Sequence, residues 1–181
     1  MMVLKIFIVL AIAGLTLSAC KSDKHYSFND CELEWILYNN DPPKYLVNKT
    51  DTVTASVTCG VMENDNCYHE SMPNHYDEYY EEGTLEFYLR DTAYITSAMV
   101  RIYSYKGFKA EIDIPGGYYD YVRPRENTDT TLVNGVLYYG VHKYNVERPE
   151  EDAASYFCFV PGKGYVQIIL NNGTLIELIS E

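Results

Sequence analysis

The sequence predicts an all-β domain, an antiparallel meander that forms a sandwich or a curled, barrel-like sheet. Three observations predict it. Short segments alternate apolar and polar residues, most cleanly where Phe108, Ala110, Ile112 and Ile114 interleave with Lys109, Glu111 and Asp113. Clusters of glycine, proline and asparagine separate these segments. Beyond residue 20 no apolar run shows the 3.6-residue period of a helix. About ten short strands at this spacing suit a sandwich or barrel.

Taken in order, residues 1–19 read as a leader. Lys5 gives a positive start, and residues 6–17 form an apolar core of secretory length, too short to span a bilayer. Residues 20–30 are mostly polar and read as a tether. Residues 31–181 have the length of a single β domain. Residues 32–38, with Trp35, Ile36 and Leu37, fit either a strand or a short helix. Asn39-Asn40-Asp41-Pro42-Pro43 is a turn cluster. Residues 52–58 alternate, with Val53, Ala55 and Val57 on one face, as in a half-buried strand.

Residues 61–83 break the pattern. They hold seven carboxylates and neither lysine nor arginine, which reads as a long surface excursion. Tyr76, Tyr79 and Tyr80 begin to pair with the sheet. Leu85, Phe87 and Leu89 then oppose Glu86, Tyr88 and Arg90. A long strand covers 94–105 and turns at Lys106-Gly107 into 108–114. Pro115-Gly116-Gly117 turns again into 118–122, and 123–129 is a loop. A strand covers 136–144, followed by an acidic loop at 147–152. The C-terminus is a meander of 155–160, 165–170 and 174–179. Its first turn is Pro161-Gly162-Lys163-Gly164. Its second is Asn171-Asn172-Gly173, whose Asn-Gly step predicts a type I′ hairpin.

The leader ends in Leu17-Ser18-Ala19-Cys20, which resembles the lipobox of bacterial lipoproteins. The resemblance implies cleavage before Cys20, a diacylglyceryl group on its thiol and an acylated amine. Two or more chains anchor stably, at ~0.8 kcal/mol per buried CH₂. The run from Thr131 through Asn134-Gly135 to Val141, then Gly162-Lys163-Gly164-Tyr165-Val166 and Asn172-Gly173, resembles the C-terminal half of small Bacteroidota lipoproteins. That family implies a β fold and an envelope location, and no activity. Only Asp23, between Lys21 and Lys24, is acidic just after the cysteine. The expected placement is therefore an outer-membrane anchor facing the periplasm, with surface exposure as the alternative.

In an exported chain the four other cysteines suggest two disulfides, with three possible connectivities. Cys59–Cys67 would pin the root of the excursion, and Cys31–Cys158 would fasten the N-terminal segment to the meander. A zinc site is the rival, but no Cys-x-x-Cys pair is present. Asp51-Thr52-Val53, Asp91-Thr92-Ala93 and Asp129-Thr130-Thr131 resemble the Bacteroidota O-glycosylation sequon, which implies modification at Thr52, Thr92 and Thr130. Asp-Thr is also good strand-entry chemistry in its own right.

The formal net charge is −12, and loss of the leader removes one lysine more. Such a surface repels nucleic acid and favours a basic partner. Nineteen tyrosines suit half-buried strand positions and, alternatively, a glycan-binding face. No catalytic motif is present. His69-Glu70 with His75 lacks the His-Glu-x-x-His spacing, and Pro73 would break the helix it needs. His25 and His142 have no evident partner in the sequence. The glycine turns precede no helix, so they cradle no phosphate. No metal or cofactor is implied. The expectation is a non-enzymatic, membrane-anchored envelope lipoprotein that binds or scaffolds. The alternatives are an inhibitor or immunity-type protein that blocks a basic lysozyme-like enzyme or toxin, and a glycan-binding accessory lipoprotein. Glu78, Glu81 and Glu82 are the candidate contacts to a basic partner.

Overall fold

Alternating residues need two apolar faces brought together, and the chain supplies them as two packed sheets. The computed structural model describes residues 23–36, 42–68, 76–90, 95–117 and 121–179. The first sheet has six strands: β1 (Lys24–Tyr26), β4 (Ser56–Tyr68), β5 (Tyr76–Arg90), β6 (Ile95–Tyr103), β7 (Lys109–Asp113) and β8 (Tyr121–Val122). The second has seven, in the order β3 (Asp51–Thr54), β2 (Lys44–Val47), β13 (Leu175–Leu178), β12 (Gly164–Leu170), β11 (Ala154–Val160), β10 (Val136–Asn145) and β9 (Asp129–Val133). All pairs are antiparallel except β1 with β5. The all-β expectation holds, and one sheet curls into a half-barrel.

Aromatic rings fill the space between the sheets. Phe87 of β5 packs edge-on against Tyr45 of β2 at 5.3 Å and tilted against Tyr165 of β12 at 5.5 Å. Phe157, Phe159 and Tyr144 complete the cluster. Each buried ring of this size contributes roughly 1.5–3 kcal/mol. Tyr165 also donates its hydroxyl to the Asp113 carbonyl at 2.9 Å, a bond from the second sheet to the first. Four tyrosines, at 45, 138, 144 and 165, therefore serve the core.

The structure departs from the expected elements in several places. Residues 52–58 are not one strand. The chain leaves the second sheet after β3, crosses at buried Ala55, and enters the first sheet as β4. Of the two alternatives left open for residues 32–38, the short helix is the one found, as a single turn α1 (Asp30–Leu33) capped by Asn29: its Oδ1 accepts from Glu32 N at 3.0 Å, while Glu32 Oε2 accepts from Asn29 N at 2.9 Å. From Lys24 onward the expected tether is part of the fold, since β1 and the Asn29 cap both lie within it. Finally, the Asn172-Gly173 turn is not type I′, because only Gly173 has positive φ there. The paired positive φ values that define that turn occur at Asn48-Lys49 and Asn134-Gly135 instead.

A candidate binding surface on the β4–β5 hairpin

The acidic excursion is a long hairpin. β4 and β5 pair without a register shift from Ser56↔Tyr88 to Tyr68↔Tyr76. Leu85, Phe87 and Leu89 point into the core, and the next inward position, Gly83, lies under Ile36 and Ile102. Beyond Gly83 the hairpin outruns the core. The inward row continues as Glu81 and Tyr79, beside Val61 and Glu63 of β4. The outward row carries Glu82, Tyr80 and Glu78 beside Met62 and Asn64. With both faces partly wet, these strands have no reason to alternate apolar and polar residues, so the sequence hides them.

Glu78 is not available to a partner, contrary to expectation. Its side chain is 1% exposed, covered by Lys24 at 3.3 Å, Lys106 at 3.2 Å and the Tyr105 hydroxyl at 2.6 Å. The hydrogen bond from Tyr105 holds its carboxyl below the usual range; covering opposes this, and the two lysines reinforce it. Lys106 also sits 4.6 Å over the Tyr105 ring, and its pKa is raised by its bonds to Tyr105 and Glu78. The cluster clamps β1, through Lys24, onto the hairpin.

Glu81 and Glu82 are half-buried and each accepts one bond. Glu81 Oε2 takes Phe28 N at 2.7 Å, and Glu82 Oε2 takes Asn64 Nδ2 at 3.0 Å. Ser104 secures the joint where β1 and β6 meet along one edge of β5. It accepts from Glu81 N at 2.8 Å and donates to the Tyr26 carbonyl at 2.6 Å. The carboxylate that the sequence reading missed is Glu63. It is 63% exposed and lies directly opposite Glu81, an arrangement of like charges that weakens a sheet. His25 Nδ1 lies 3.7 Å from it, on an imidazole stacked against Tyr79 at 4.6 Å. The period-two spacing across the hairpin turn was the signal that could have found it.

Among the described residues, β4 has a neighbour on one side only. Val61 and Met62 on this strand are 43% and 60% exposed.

The expected disulfides are absent. Cys31, Cys59 and Cys158 are free thiols. Cys59 and Cys67 lie on the same strand, and eight residues at ~3.3 Å each separate them by roughly 26 Å, against a limit near 7 Å for a bridge. Cys158 alternates with the core-facing Phe159, on which Trp35 stacks at 5.7 Å, so its thiol turns away from the segment that carries Cys31. It sits instead 3.0 Å from the Tyr156 hydroxyl, buried, with its pKa pushed up by that burial.

Thr52 and Thr130 are exposed, on β3 and β9; Thr92, His69, Glu70 and His75 lie outside the described residues. An open groove of about 550 Å³ lies between loop residues Arg125 and Asn127 and strand residues His142 and Lys143. Lys143 is bonded there to Asp129 at 2.8 Å and to the Thr130 carbonyl at 2.7 Å. His142 is buried against Trp35, its pKa is lowered by that burial, and its Nδ1 has no partner. Among the described residues no cluster of three metal-ligating side chains occurs, and no helix is long and apolar enough to cross a membrane. No protein-family model, no curated protein and no solved structure matches the chain.

Proposed function

We propose that the chain is a lipid-anchored envelope protein whose β domain is a binding module for a cationic protein partner, met by the β4–β5 hairpin. One observation carries the reading. Glu63 and Glu81 face each other across an overhanging hairpin, and among the described residues no lysine or arginine pairs with Glu63, whose neighbour is the exposed imidazole of His25. Bringing a basic surface to this pair relieves their repulsion, so electrostatic energy is gained on binding. The lipobox resemblance at Cys20 supports the anchor. A blocking role against a basic enzyme or toxin is the form of binding that the charge favours most.

The test uses a cationic lysozyme as probe and varies salt. Binding is expected to weaken as salt rises, and Glu63→Gln is expected to lower the on-rate most at low ionic strength. An affinity indifferent to both salt and Glu63→Gln refutes the reading. The anchor is tested separately. Cys20→Ala is expected to leave the membrane fraction or to accumulate as precursor; a variant that still enters the detergent phase at wild-type mass refutes lipidation.

A further inference from the structure

We infer that the free edge of β4 receives an extended cationic segment of the partner as an added strand, an inference that rests on the cationic-partner reading above. An edge strand turns the N–H and C=O groups of alternate residues outward, unpaired. Natural edges are guarded by shortness, by bulges, by proline, by lysine or by inward-pointing charges. Among the described residues the other edges are short: β1 has three residues, β3 four, β8 two and β9 five, and on β9 the Thr130 carbonyl is already taken by Lys143. β4 runs 13 residues, pairs with β5 without a bulge, and contains neither proline nor lysine; its guard is the inward-pointing Glu63, which repels an acidic strand and attracts a basic one.

The side chains of β4 define what fits. A strand laid along it places residues ~4.5–5.5 Å from their cross-strand neighbours. On the inward face they meet Glu63, beside Glu81. On the outward face they meet Met62, which is largely exposed. The complementary sequence alternates basic and apolar residues. A second copy of this chain does not meet that need, because β4 carries no basic residue and the chain's net charge is −12. Main-chain bonds would supply affinity and the alternating side chains specificity.

The experiment uses the detergent-solubilised full-length protein and a synthetic peptide of alternating lysine and valine. A second peptide has the same sequence but carries N-methyl groups on every other backbone nitrogen, which leaves its charge intact and removes its ladder donors. Affinity is measured by calorimetry, and amide exchange is followed along β4. The unmodified peptide is expected to bind, to slow exchange of the edge-facing amides of β4, and to bind at least about tenfold tighter than the methylated one. Equal affinity for the two peptides, with β4 exchange unchanged, overturns strand addition and leaves the charge-based reading standing. If neither peptide binds at low salt, the cationic-partner reading fails and strand addition fails with it.

Discussion

Gly83 is where the hairpin leaves the core, and adding one methyl group there tests whether its seat is as tight as described. A Cβ at this position would lie 2.5 Å from Ile36 Cδ1 and 2.8 Å from Ile102 Cγ1. Neither distance is tolerable, so something must move. Ile36 Cδ1 is the free end of its side chain and can swing, but Ile102 Cγ1 is nearer its backbone, and both residues are fully buried. Overpacking of this kind costs ~1–3 kcal/mol. Replacing a strand glycine returns roughly 0.5–1 kcal/mol of backbone entropy. The net expectation for Gly83→Ala is a loss of up to about 2.5 kcal/mol. At ~2–4 °C per kcal/mol for a chain of this length, Tm falls by up to roughly 10 °C. Ile36→Val alone costs about 0.5–1.5 kcal/mol. In the double variant the shortened Ile36 no longer meets the new methyl, so the two losses should sum to less than their separate values. The relief is partial, because Ile102 remains. Thermal and urea unfolding of the four proteins measures this cycle. A Gly83→Ala protein more stable than wild type, or two strictly additive losses, refutes the claim that the N-terminal segment sits on this glycine.

Three other outcomes are expected. In the native protein a thiol reagent should label the exposed Cys31 and Cys59 and reach Cys158 only after unfolding; non-reducing peptide mapping that finds any of the three bridged contradicts the free thiols. Glu78 has a lowered folded pKa, so its contribution is present above the unfolded glutamate value of ~4.3 and is lost as pH falls through the folded value; amide protection at Tyr79 and Tyr80 should drop in that acidic range, and Glu78→Gln should remove the dependence. His142 is buried and its pKa is lowered, so protonation favours the unfolded chain as pH falls below ~6.5; His142→Phe should flatten stability between pH 7 and 5 and, by deleting an unpartnered polar atom, should leave the protein about as stable at pH 7 or up to ~1 kcal/mol more so. A steeper pH dependence in that variant would count against the orphaned imidazole.

The core strands were legible because one face of each is dry. Leu85-Phe87-Leu89 and Ala110-Ile112-Ile114 alternate as the sheets require, and the structure places these residues in the core; the C-terminal meander, buried at successive positions, was legible through its turns. The hairpin was not legible for the opposite reason: past Gly83 neither face is covered by a core, so Glu63 and Glu81 obey the two-residue period in carboxylates rather than in apolar residues. β1 and β2 were lost to their shortness, three and four residues, too few to display any period. The break at Ala55 was invisible because a strand that changes sheets keeps its alternation across the crossing. The candidate site suffered most. Composition marked the right stretch, but only the register separates Glu78, covered by two lysines and a tyrosine, from Glu63, which stands open.

The position of β1 sets how load would pass from a membrane anchor into the domain. With a lipid on Cys20, only three residues separate the anchored cysteine from Lys24, and four steps of extended chain reach at most about 14 Å. Such a lipid would hold Lys24 within that radius of the anchored cysteine, and with it the outer part of the hairpin, where β1 pairs with Glu78–Tyr80. Tension applied along β1, whose three residues lie parallel to Glu78–Tyr80 of β5, would be borne by the ladder bonds and the Lys24–Glu78 pair together, in shear, rather than one after another as in peeling. A partner pulling outward on the hairpin would load the same joint from its other side, so the clamp at Glu78 would lie on the mechanical path between such an anchor and such a partner.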